Sequence, residues 1–123
     1  MNLTSAFLVS KFAGRKMIAR KRGKIINITS LMAEAIRPTT GNYCAAKGGL
    51  KMLTKALAGE WGKHNIQVNA IGPGYFLTDL TKPLAENPEF DAWVRKETPA
   101  ARWGEPGELI GAAIFLASRA SDY

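Results

Sequence analysis

Three side chains in the stretch SLMAEAIRPTTGNYCAAK could do chemistry together: Ser30, Tyr43 and Lys47. Tyr43 and Lys47 are four residues apart in NYCAAKGGLKMLTKALAGEW, a segment rich in helix formers after the tyrosine. Residues i and i+4 share one helix face, so the ammonium can lie beside the phenol. A free phenol gives up its proton only near pH ~10, and a neighbouring positive charge favours the phenolate. Tyr43 is therefore a candidate general acid/base. Ser30 closes the apolar run KIINITS and could hydrogen-bond the same reacting oxygen that Tyr43 protonates.

Those three residues need a scaffold, and the sequence supplies one. MNLTSAFLVSKFAGRKMIARKRGK reads as a helix from its first residues, with no cap ahead of it; Thr4 or Ser5 could cap it, leaving Asn2 and Leu3 outside. Ala6, Val9, Ala13 and Met17 lie near one stripe, and Leu8 and Phe12 lie off it, which predicts burial on two sides. Gly23 falls where helices favour a terminating glycine. Ile25, Ile26 and Ile28 predict a strand of the parallel, doubly covered kind. In the following loop Pro38 keeps Arg37 out of helical geometry. Met32, Glu34 and Arg37 lie close enough to Ser30 to reach a substrate, although Glu34 and Arg37 read better as surface residues. The helix carrying Tyr43 spans about Asn42 to Lys63, and its small residues Ala45, Ala46, Gly48 and Gly49 permit close approach by a neighbouring helix or a cofactor. NIQVNAIGP is a second strand, with Ile66, Val68 and Ala70 on one side and Gln67, Asn69 and Ile71 on the other. Pro73-Gly74 breaks it at its carboxyl end, the edge where open parallel sheets bind ligands. Prolines 83 and 88 cut the next stretch into short helical pieces. Glu105-Pro106 opens a last helix, in which Leu109, Ala112, Ala113, Phe115 and Leu116 face the sheet. Arg102 and Trp103 read as structural. The whole of 1–123 reads as one α/β domain, without repeat, low-complexity segment or linker.

Composition narrows the function. The net charge of +7 could signal nucleic acid, but the basic residues are scattered apart from Arg15, Lys16, Arg20, Lys21, Arg22 and Lys24. That cluster ends a helix, where cations suit the helix dipole. No apolar run is long enough for a bilayer, and no charged-then-apolar leader is present. The lone Cys44 excludes an internal disulfide and a cysteine-cluster metal site, so no metal is expected and a reducing cytoplasm fits. Cys44 reads as a packing residue rather than a nucleophile. His64, near a helix end, needs no catalytic role.

A serine at a strand end, a tyrosine thirteen residues on, Y-x-x-x-K, and P-G after the next strand together resemble the short-chain dehydrogenase/reductase family. The resemblance covers the whole chain and implies the second half of a Rossmann-type doubly wound parallel sheet. It implies that Ser30, Tyr43 and Lys47 are catalytic, that Lys47 also binds the nicotinamide ribose, and that Asn2, matching an N-L dipeptide, holds a water in the proton path. It implies that P-G-x-x-x-T passes the nicotinamide side of the dinucleotide, so Pro73, Gly74, Phe76 and Thr78 join Tyr43 and Lys47 in binding the cofactor. The segment after Thr78 corresponds to a mobile lid. The T-G-x-x-x-G-x-G turn, N-N-A-G and a closing D-G-G are missing, so the chain is expected to be incomplete, and NAD cannot be told from NADP. HNIQVNAIGPGYFLTDLTKPL and TPAARWGEPGELIGAAIFLASRASDY look most like the gluconate 5-dehydrogenase branch. The 3-oxoacyl-carrier-protein reductases share much of this pattern. The implied reaction interconverts a secondary alcohol and a ketone, with a small molecule such as a sugar acid as substrate, neither nucleic acid nor membrane as partner, and a homo-oligomer built through the two long helices. A truncated, non-catalytic interaction module pairing through those helices is the alternative of another class.

Overall fold

The β-branched runs form two strands. β1 (Gly23–Ile28) and β2 (Ile66–Ile71) pair in parallel, with Gly23 opposite Ile66 and Ile28 opposite Ile71. Parallel neighbours need a crossover, and α2 (Gly41–Trp61) provides it. The structure, a computed structural model, describes residues 2–123. They divide into two compact units: one runs to Gly72 and takes in Ala112–Tyr123, and the other is Pro73–Gly111.

In the first unit, α1 (Thr4–Arg20) and α2 build the core with the strands. Leu50, Thr54 and Leu57 are the buried stripe of α2. Leu57 packs with Ile66 and Val68, and Met17, Ile18, Ile25, Leu53 and Trp61 surround them. Each fully buried aliphatic side chain contributes about 1.5–3 kcal/mol. The polar atoms in this layer are partnered: Asn27 Nδ2 donates to Thr54 Oγ1 at 2.9 Å, and Thr54 Oγ1 donates to Leu50 O at 2.8 Å.

Several readings of α1 change. Val9 is 68% exposed, and the inward stripe runs instead through Ser10 and Gly14, both buried. The Trp61 indole lies over Gly14, where a Cβ would collide with it, so the smallest residues mark the contact side. Neither Thr4 nor Ser5 caps the helix. Leu3 holds the cap position and lies over Gly49 of α2, where a Cβ would stand 2.7 Å from Leu3 Cδ2. Leu8 and Phe12 lie off the inward stripe, as read, and with Phe7 and Val9 they form an exposed apolar side rather than a buried one. Gly23 does not terminate the helix. Lys21 does, with φ 51°, and Asn65 (φ 59°) donates from Nδ2 to Lys21 O at 3.2 Å. Gly23 is the first strand residue, and the Met17 side chain fills the space of its missing Cβ.

The end of the chain is held by polar contacts. Lys24 Nζ donates to Ser121 O and Oγ, both at 2.9 Å, and pairs with Asp122. Lys24 holds the Asp122 carboxyl below the usual range. In α5 (Ile110–Ala117) and the turn before it, Leu109, Ala113 and Leu116 are half-buried, as helical spacing requires, whereas Ala112 and Phe115 are exposed, contrary to expectation. No helix among the described residues is long and apolar enough to cross a membrane.

The second unit follows its prolines. α3 (Lys82–Ala85) and α4 (Pro88–Glu97) each carry proline in the first turn, and Asn87 Oδ1 caps α4 by accepting from Phe90 N at 3.0 Å. Tyr75 meets the edges of Phe90, Trp93 and Trp103 at 5.6–5.7 Å between ring centroids. Trp103 Nε1 donates to Asp91 Oδ1 at 2.7 Å, and Arg95 Nε donates to Asp91 Oδ2 at 2.8 Å. Arg95, then Trp103, hold the Asp91 carboxyl below its ordinary range. Arg102 grips Glu108 with two N–H groups, and the Glu105 amide donates to Glu108 Oε2 at 2.7 Å. Arg102 first, then that amide, bring Glu108 from 4.5 to about 2. A carboxyl with a lowered folded value stabilises fully above its unfolded value, and the contribution is lost as pH falls through the folded one. In Glu108→Gln, the fall of Tm between about pH 5 and pH 2 should therefore be shallower than in wild type. Parallel acid branches in calorimetry would contradict this.

Candidate active site

The carboxyl ends of β1 and β2 are tied together before either strand gives way to a loop. Thr29 N donates to Ile71 O at 2.8 Å, and Thr29 Oγ1 donates to the same oxygen at 3.1 Å. A Cβ on Gly72 would stand 3.2 Å from Thr29 Oγ1 and 3.8 Å from the Ser30 carbonyl, so glycine lets the end of β2 run alongside Ser30. Ser30 is extended (φ −167°, ψ 159°) and caps a 3-10 turn, Leu31–Ala33, with Oγ accepting from Met32 N at 3.1 Å. That bond uses a lone pair of Oγ and leaves its proton available to an incoming oxygen.

α2 packs against this turn. Tyr43 lies in its first turn, where Asn42 Oδ1 accepts the Tyr43 N–H at 2.8 Å and Cys44 N donates to Thr40 O at 2.9 Å. Tyr43 is 37% exposed, so the residue is not sealed in the core. One turn on, Lys47 Nζ donates to Ile28 O at 2.7 Å and lies 5.7 Å from the Tyr43 ring centroid, within cation–π range. One ammonium thus touches the helix carrying Tyr43 and the strand end carrying Ser30. An ammonium has three N–H donors, so two remain for a ligand.

Asn2 lies in an exposed turn ahead of α1, next to Leu3, which packs on Gly49 two residues beyond Lys47. Cys44 is half-buried, with Sγ 3.3 Å from Thr40 Oγ1. Among the described residues no cluster of histidine, cysteine or carboxylates could hold a metal ion.

Pro73, Gly74, Phe76 and Thr78 belong to the other unit. A Cβ on Gly74 would meet nothing within 4 Å, so the backbone there is open. Phe76 is held by a bridge to Gly104, with Leu77 N donating to Gly104 O and Gly104 N to Tyr75 O, both at 2.9 Å. Thr78 is fixed by Thr81, whose Oγ1 accepts from Thr78 N at 2.9 Å and donates to Phe76 O at 2.5 Å. Sequence reasoning passed over Thr81, although T-x-x-T is a spacing at which hydroxyls organise a turn. It also passed over Thr29, and Glu34, exposed as expected, forms an ion pair with Lys51 of α2 that the sequence did not signal.

Known proteins resemble this chain. The family model described as enoyl-(acyl carrier protein) reductase matches residues 1–123. The chain is 55% identical over 123 residues to 5-keto-D-gluconate 5-reductase of Escherichia coli strain K12, covering all of this chain and 48% of that one. It is 54% identical over 124 residues to 2-dehydro-3-deoxy-D-gluconate 5-dehydrogenase of Formosa agariphila, covering all of this chain and 47% of that one. Among solved structures, gluconate 5-dehydrogenase from Burkholderia cenocepacia, in complex with NADP and tartrate, matches with TM-score 0.96 and 50% identity over 98% of this chain and 48% of that one. The chain therefore spans about half the length of these relatives. With a parallel sheet, a strand-end serine and a Y-x-x-x-K helix seen together, and a family model matching from residue 1 to residue 123, the chain belongs to the short-chain dehydrogenase/reductase family.

Proposed function

We propose that this chain is the catalytic part of a nicotinamide-dependent oxidoreductase that interconverts gluconate, or a close sugar acid, and its 5-keto form. The observation that carries this reading is the Lys47 ammonium, set between the Tyr43 ring and the Ile28 carbonyl. The residues present fit the nicotinamide end of NAD or NADP: Lys47 has N–H donors to spare for ribose hydroxyls, and the backbone at Gly74 is open. The NADP bound in the Burkholderia relative supports that choice of cofactor. When bound, the nicotinamide supplies or accepts the hydride.

The chain's own residues handle the proton. In reduction Tyr43 Oη gives its proton to the substrate oxygen, and in oxidation it takes one away. Ser30 Oγ–H donates to the same oxygen and orients it. Lys47 places positive charge where the phenolate forms. Asn2 supports proton return from solvent. Pro73, Gly74, Phe76 and Thr78 bind the carboxamide side.

The sequence has no glycine-rich turn of the T-G-x-x-x-G-x-G type, so the pyrophosphate site comes from a further stretch of polypeptide joined to or associated with this chain. The exposed apolar side of α1, at Phe7, Leu8, Val9 and Phe12, pairs with a second copy, giving a dimer or tetramer in the cytoplasm.

The test is a graft in which this chain replaces the corresponding stretch of the Escherichia coli reductase. The graft should reduce 5-keto-D-gluconate with kcat/KM at least about 100-fold above that for a 3-oxoacyl thioester. The reverse preference would favour the acyl-carrier reading, and activity on neither would favour a non-catalytic interaction module.

A further inference from the structure

The loop that leaves Ser30 is fastened to α2 by two side chains that the chemistry above does not use. Glu34 ends the turn capped by Ser30, its N–H donating to Leu31 O at 2.9 Å. Its carboxylate pairs with the ammonium of Lys51 on α2. Lys51 follows Lys47 by four residues and Tyr43 by eight, so the three share one stripe of the helix. Lys47 holds the Ile28 carbonyl, just ahead of Ser30, and Lys51 holds Glu34, just after it. Ser30 is therefore bracketed by two lysine ties to the helix that carries Tyr43.

We propose that Glu34 and Lys51 are positioning residues: their ion pair sets the Ser30 turn against the Tyr43–Lys47 face, so that the serine and tyrosine hydroxyls meet one substrate oxygen. This rests on the acid/base reading above. The side chains are 61% and 31% exposed, and pairs of that kind add little to global stability. Their consequence is directional. The tie joins the two elements on either side of the reacting oxygen, and rate depends steeply on the placement of groups that contact such an atom. A pair that merely decorated the surface would leave rate and loop order untouched when removed.

The test uses the grafted enzyme with Lys51→Gln, Glu34→Gln and the exchanged pair Glu34→Lys with Lys51→Glu. Each single change should lower kcat about tenfold, with the KM for NADPH changed less than about twofold and Tm nearly constant. The exchanged pair should recover most of that loss. Hydrogen exchange of the Met32 amide, which bonds Ser30 Oγ, should accelerate about tenfold in each single variant and return towards wild type in the exchanged pair. Single variants with wild-type kcat and wild-type exchange, or an exchanged pair that recovers neither, would overturn the proposal. A graft inactive on every substrate would sink the reaction reading instead, and the Met32 exchange pattern, which needs no substrate, would then decide the positioning role by itself.

Discussion

Tyr43→Phe in the grafted enzyme should lower turnover of the ketone by about 10²–10⁴-fold, the range that a positioned general acid supplies. The change removes one oxygen and leaves the ring. The ring keeps its place beside Lys47, 5.7 Å from Nζ, and Lys47 keeps its bond to Ile28 O. Binding of NADPH should therefore stay within about twofold of wild type, so the loss falls on kcat and not on cofactor affinity. Tyr43 is more than a third exposed, so truncating the hydroxyl opens no cavity and Tm should hold. Stopped-flow measurement of NADPH oxidation at saturating ketone reads the effect directly. A variant retaining more than about a tenth of the wild-type rate would remove Tyr43 from the role of proton donor.

The second large effect concerns the 123-residue chain by itself. It should bind NADPH at least about 10³-fold more weakly than the grafted enzyme. In the proposed function, Lys47 and Gly74 serve only the nicotinamide end of the cofactor. The pyrophosphate and the adenosine then have no glycine-rich turn to donate to them. Each charge-assisted hydrogen bond given up costs about 1.5–3 kcal/mol, and about 1.4 kcal/mol is tenfold in affinity. The two strands described are each an edge, a state that invites pairing with other chains. Calorimetric titration of soluble chain with NADPH, next to the graft, tests this. Micromolar affinity of the chain alone would show it self-sufficient for the nucleotide.

The sequence and the fold agree most closely where spacing alone decides geometry. Tyr43 and Lys47 had to share a helix face, and the β-branched runs around Ile25 and Val68 had to be strands; both hold. The prolines at 83 and 88 mark helix starts because a missing N–H costs nothing there. Most of the departures come from packing and backbone contacts that apolarity along the chain does not register. Val9 scores as a core residue by apolarity, yet Ser10 and Gly14 are the buried residues, Gly14 leaving room for the Trp61 ring. Gly23 resembles a helix terminator, yet its lack of a side chain serves Met17, and Lys21 takes the left-handed turn. Glu34 is exposed as expected, and only its pairing with Lys51, beyond the whole catalytic loop, had no local signal. Thr29 and Thr81 act through backbone carbonyls, which hydropathy does not register.

In the proposed function, Ser30, Tyr43 and Lys47 of this chain form a working proton-transfer set for hydride chemistry on a sugar acid. Turnover of 5-keto-D-gluconate by the graft, followed as NADPH oxidation under saturating conditions, tests it most directly. The graft should show a kcat within about tenfold of the Escherichia coli reductase, since the reacting groups would occupy the same places on the same scaffold. A folded graft that binds NADPH with parental affinity, yet turns over no faster than the solution background, would contradict it.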